Sequence, residues 1–245
     1  MANWNDPRPT GFGASPSLFG AQARGTVFDA GLRRHMLSIY NTMASGVLLS
    51  GIVALAFAAS GMADAVFATP LRWLIALAPL AFVMVMSFGV NRLSTPALSG
   101  LFWAFSVAMG LSLSSIFAVY TGGSIAVTFF ATAGAFAGLS LFGYTTSKDL
   151  SGFGTFLIMG LFGILIASVV NIFLHSSGLA FGISVLGVLI FAGLTAYDTQ
   201  KLKEQYRYVA GTDMAGKVVI LGALSLYLDF INMFMMLLRF MGDRR

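Results

Sequence analysis

The chain has 245 residues, of which 58% are hydrophobic and only 9% charged, with a formal charge of +5 and a mean hydropathy of +0.87. Soluble domains carry about 25% charged residues, so these totals exclude a water-soluble globular fold and indicate a polytopic membrane protein. The absence of cysteine removes disulfides, thiolate metal sites and cysteine nucleophiles, and no basic stripe interleaves with aromatics as in a nucleic-acid binder.

Residues 1–30 are polar and interrupted by Pro7, Pro9, Gly11, Gly13, Pro16, Gly20 and Gly25, which reads as a flexible cytoplasmic tail. It does not read as a secretory signal, because the first apolar run starts near Met36 and is too long for one. Residues 31–245 read as a seven-helix transmembrane domain. Its apolar runs cover about 36–59, 71–90, 98–120, 124–146, 153–174, 179–200 and 218–240, each near the roughly 20 residues that cross a bilayer as a helix. Backbone groups in lipid must be bonded internally, so helices are the expected form of all seven. Pro79 is expected to bend the second. The connections are short, except for a charged stretch at about 201–217.

Ten of the fourteen Lys and Arg fall on one side: Arg8, Arg24, Arg33, Arg34, Arg92, Lys148, Lys201, Lys203, Arg207 and Lys217. Arg72, Arg239, Arg244 and Arg245 fall on the other. The positive-inside rule then places the N-terminus in the cytoplasm and the C-terminus outside. Few extramembrane residues suit a bacterial inner membrane. The small-residue step from Gly134 to Gly138 is expected to pack within the bundle.

Two acids stand out. Asp198 follows Ala196-Tyr197 near the end of the sixth run, and Asp229 follows Tyr227-Leu228 in the middle of the seventh. An ionised carboxylate in hydrocarbon costs roughly 2.5–3.5 kcal/mol on insertion scales. Each must be paired, protonated or facing water, so they are the candidate functional site. If the sixth helix continues past Asp198 the two can meet, share a proton and titrate as a unit. Such a pair senses pH, and its charge change can reorganise helices. Asp198 has a plainer reading as an interfacial partner of Lys201, and Asp229 as a static core residue. Arg92, closing the second span, is either a cytoplasmic anchor or a latch on the pair. Arg239 reads as an interfacial anchor. Asn171 and His175 end the fifth span, and His175 and His35 are too far apart in sequence for a shared metal site. Ser106, Ser112, Ser114 and Ser115 give the third span a polar side, for a pore lining or for back-bonding to the helix.

The segment Ala223-Leu224-Ser225-Leu226-Tyr227-Leu228-Asp229-Phe230-Ile231-Asn232, running to Leu237-Leu238-Arg239, resembles the last segment of the Bax inhibitor (transmembrane Bax inhibitor motif) family. Ala196-Tyr197-Asp198-Thr199-Gln200 resembles its sixth helix, and Lys148-Asp149-Leu150-Ser151 with Asn171-Ile172-Phe173 its fourth-to-fifth region. The resemblance spans about 30–240 and implies an all-α membrane protein: seven transmembrane helices, the last central and wrapped by the other six. It further implies a pH-sensitive calcium leak gated by Asp198, Asp229 and Arg92, with calcium meeting the two aspartates transiently as the transported ion and no cofactor. The resemblance thus implies non-enzymatic transport, with the bilayer, calcium ions and protons as partners. In one respect the chain departs from it: the second span carries no acid, whereas related bacterial members can carry a glutamate there. One alternative is a non-transporting modulator of a membrane-anchored protease or stress response, engaged through residues 1–30. Another is an intramembrane aspartyl protease, although the Gly-x-Gly that class places before its second aspartate is absent here.

Overall fold

The computed structural model describes the backbone from residue 16 to residue 245 and side chains from residue 29. Residues 1–15 of the expected tail lie outside the described residues. The helices are α1 (Pro16–Ala59), α2 (Met62–Phe67), α3 (Leu71–Gly89), α4 (Thr95–Leu113), α5 (Ile116–Val119), α6 (Gly122–Thr145), α7 (Ser151–Leu174), α8 (Ser177–Val209) and α9 (Met214–Met241). Among the described residues, seven helical segments are long and apolar enough to cross a membrane, as the runs of hydrophobic residues require.

Local chemistry sets the helix ends. Ser94, Thr121 and Ser176 each accept a hydrogen bond from the amide three residues on, at 3.3, 3.3 and 3.2 Å. These N-caps satisfy amides that have no partner inside the helix. His175 ends α7 in the left-handed region at φ 49°, and Asn171 Oδ1 accepts from the Ser176 amide at 3.0 Å. Both residues therefore shape a turn. The third span breaks at Ser114 and Ser115, whose hydroxyls bond Leu111 and Ser112 carbonyls. Together with the Ser106 bond to Phe102 O, this is the back-bonding reading of that polar side.

The sixth helix does continue past Asp198: α8 runs to Val209 and α9 starts at Met214, so the charged stretch 201–217 is mostly helix. Lys and Glu are good helix formers, so charge carries the helix out of the hydrocarbon without ending it. The structure corrects two expectations. The connection at 61–70 contains the short helix α2. Gly134 and Gly138 are exposed, and a side chain at either would meet no atom within 4 Å. The small face of α6 therefore does not pack within the bundle.

α9 is the most deeply buried span, with 61% of its apolar window inside the protein against 39% or less elsewhere. It packs against α8, α1, α6, α4 and α3, whereas the packing of α7 is against α8. After α9 the chain bonds back to the turn between α5 and α6: the Thr121 amide donates to Asp243 O and the Arg245 amide to Val119 O. The last helix thus crosses completely and ends on the face opposite the α8–α9 turn. The face holding Arg92, Lys148, Lys201 and Lys203 is called the basic face below.

Candidate functional site

Four contacts fix α8 where it carries Asp198. A side chain at Gly143 of α6 would collide with the Ala196 carbonyl, and one at Gly154 of α7 with the Tyr197 ring. These glycines let α6 and α7 close on the Ala196-Tyr197-Asp198 turn from two sides. Gln200 then spans the α6–α7 connection. Its Nε2 donates to Lys148 O at 2.8 Å and its Oε1 accepts from the Leu150 amide at 2.8 Å. One turn on, Lys203 Nζ donates to Tyr144 O at 2.7 Å.

Asp198 is half-buried and looks across to α9, where Ser225 Oγ donates to its Oδ2. Ser225 precedes Asp229 by four residues, so the two share one face of α9. Asp229 is 6% exposed and lies mid-span. Its Oδ2 is buried and has no hydrogen-bond partner among the described residues. The structure therefore brings the two predicted acids onto one α8–α9 seam, with Ser225 between them.

A cavity of about 220 Å³ reaches this seam and is lined by Asp198, Lys201, Leu202, Gln205, Gly222 and Ser225. Lys201 lines the same cavity as Asp198, with its Nζ 5.8 Å from the centre of the Tyr197 ring. Arg92 is exposed in the turn after α3 and, among the described residues, forms no ion pair with either carboxylate. The cation that reaches the α3 end from α9 is Lys217, whose Nζ donates to Val90 O at 2.9 Å. Arg239 is exposed in the last turn of α9. Among the described residues no three His, Asp or Glu side chains cluster.

Sequence reasoning missed Ser225, although its position one helical turn before Asp229 marks it. It also missed a second polar site on α9. Tyr227 is fully buried, and its hydroxyl lies 2.6 Å from Ser50 Oγ. Ser50 is also placed to donate to Ser106 O at 2.7 Å and to Gly46 O at 3.0 Å. A serine has a single proton; when it goes to either carbonyl, the phenol donates to Ser50. Phe102 and Phe105 meet the Tyr227 ring edge-on at 6.2 and 5.0 Å. His35 was noted for its distance from His175. It is buried on α1, 5.0 Å from the Tyr206 ring.

This seam lies within a recognised sequence pattern. The family described as "Inhibitor of apoptosis-promoting Bax1" matches residues 32–245. The chain belongs to the Bax inhibitor family. Among relatives, the Escherichia coli K12 protein named inner membrane protein YbhL is 49% identical over 220 residues, covering 88% of this chain and 94% of its own. A Caulobacter vibrioides protein is 49% identical over 231 residues, covering 89% and 91%. A Rickettsia prowazekii protein is 44% identical over 225 residues, covering 91% and 95%. Asp198, Ser225 and Asp229 all fall inside the family match.

Proposed function

We propose that this Bax inhibitor family protein is a pH-sensitive leak pathway for calcium, gated by Asp198 and Asp229. The single observation behind the reading is a carboxylate at mid-membrane, Asp229, with a buried oxygen that no donor among the described residues satisfies. A lone ionised carboxylate there costs roughly 2.5–3.5 kcal/mol. Its charge must be met by a proton, a cation or a rearranged helix. Each of those answers couples proton binding to the shape of the seam.

In the closed seam, Ser225 holds Asp198 and so ties α8 to α9. A cation from the basic face meets Asp198 in the cavity; Asp229, one turn beyond Ser225 on α9, does not line it and is reached only once the seam opens. A change in protonation removes or adds charge at the pair, the Ser225 bond weakens, and the helices part to admit water. Calcium prefers about 6–8 oxygen ligands. Two carboxylates and a hydroxyl provide few, which suits a path that must release its ion. Arg92 is a basic-face residue away from the pair in this conformation, and its role as a latch belongs to a state in which α3 has moved inward.

The reading is non-enzymatic and needs no cofactor. An aspartyl protease needs both carboxyls on one shared water, whereas Asp198 is engaged by Ser225 and Asp229 is almost fully covered. The positive-inside rule puts the basic face in the cytoplasm. The name of the Escherichia coli relative supports an inner-membrane location.

The test is calcium flux into liposomes containing the full chain, from about pH 5 to 8, where such switches operate. Wild type should carry a pH-dependent flux that Asp198→Asn and Asp229→Asn flatten. Equal flux in all three proteins across that range overturns the reading.

A further inference from the structure

α1 and α6 both pack on α8 and α9 but stand apart from each other. Between them runs a groove of about 630 Å³, inside the roughly 300–1,000 Å³ common for ligand sites. Phe230 of α9 lies along the groove, next to Asp229. Met36 and Met43 lie on the α1 wall, and α6 lines the other with Phe136 and Leu141 beside Ala133 and Ala137. Arg33 lines the end at the basic face, where Tyr40, Ser140 and Tyr144 supply the polar atoms. Arg33 is exposed and has no carboxylate partner among the described residues.

We infer that this groove is a binding site for an anionic phospholipid, with one acyl chain in the slot between α1 and α6 and the phosphate at Arg33. The dimensions select an acyl chain. Arg33 and Leu48 are fifteen residues apart, which is roughly 22 Å along the helix at 1.5 Å per residue. This exceeds the roughly 15 Å of one leaflet's hydrocarbon, so a full chain fits from the interface downward. An extended peptide is disfavoured, because the apolar walls give its backbone almost no hydrogen-bond partners. Charge selects the headgroup. The basic end offers a guanidinium and hydroxyls, a donor set that suits a phosphate, and places them at the depth where a headgroup sits. The inference does not depend on the leak reading, since it concerns occupancy of the groove and not conduction.

The test uses the full chain in phosphatidylcholine nanodiscs doped with phosphatidylglycerol carrying a photoreactive diazirine in its acyl chain. After illumination, adducts are mapped by peptide mass spectrometry. Adducts should concentrate on residues 36–48 and 129–144 and exceed those from a matched phosphatidylcholine probe. They should fall about fivefold in Arg33→Gln, the loss expected for one basic residue at an anionic surface. A second variant, Ala137→Trp, fills the slot without touching Arg33; it should abolish groove adducts while adducts on exposed α3 residues persist. Labelling spread evenly over α3 and α7, equal labelling by the two lipids, or groove residues cross-linked instead to a second copy would each overturn the proposal.

Discussion

Tyr227 and Asp229 are two residues apart on the same buried helix, and their environments are opposite. The Tyr227 hydroxyl reaches Ser50, which is in turn placed against the Ser106 carbonyl, so three helices are joined through one polar site. Asp229 has one oxygen buried without any partner. In hydrocarbon, a polar group that finds its partners becomes part of the scaffold, and one that does not retains free energy that a proton or ion can release. The difference sets a satisfied polar group and an unsatisfied one within a single turn, and the leak proposed above assigns the first to the scaffold and the second to the response.

The contrast can be broken from either side. Tyr227→Ala empties a fully covered aromatic site and should cost about 3–5 kcal/mol, the range for large aromatic truncations in cores. Thermal unfolding in detergent measures it, and a loss below about 1 kcal/mol would deny Tyr227 its structural role. Asp229→Leu should act the other way. Removing an unsatisfied buried polar group recovers about 1–3 kcal/mol, so the variant should unfold later than wild type while its pH-dependent flux disappears. Tyr227→Phe keeps the ring and loses only the hydroxyl; hydrogen bonds between membrane helices average about 0.6 kcal/mol, and a loss of that order is expected with flux retained.

The smallest expected effect lies outside the spans, at Asp149. Its Oδ1 accepts from the Ser151 amide at 2.8 Å at the start of α7. The hydrogen bonds from Ser151 hold its carboxyl below the usual carboxylate range. A lowered native value means that the contribution is complete above the ordinary carboxylate pKa and disappears as pH falls through the native one. Amide exchange at Ser151 should therefore accelerate only in acid, and Asp149→Ala should remove that dependence. Unchanged exchange in the variant would leave the cap without effect.

What the sequence discloses follows from the solvent. Lipid forces long apolar runs, so the seven spans and the two acids within them are legible from composition alone. The extent of α8 was harder to read, because Lys201, Lys203 and Glu204 resemble a connection until Gln200 and Lys203 are seen anchored to the α6 end. Ser225 sits on the Asp229 face by helical period, yet nothing in a single sequence tells a serine that bonds another helix from one that bonds its own carbonyls. The Tyr227 site joins residues 177 positions apart, and no local pattern encodes that distance. Gly134 and Gly138 misled because small residues permit close packing without requiring it.

The central claim is that proton binding at the aspartate pair controls the α8–α9 seam. Spin labels at Gln205 and Val218, which face each other across the cavity, allow the seam to be measured directly in bilayers from about pH 5 to 8. The wild-type distance should shift with pH, and the shift should vanish in Asp229→Asn. A seam of constant width in wild type, under conditions where calcium flux still changes, would contradict the account.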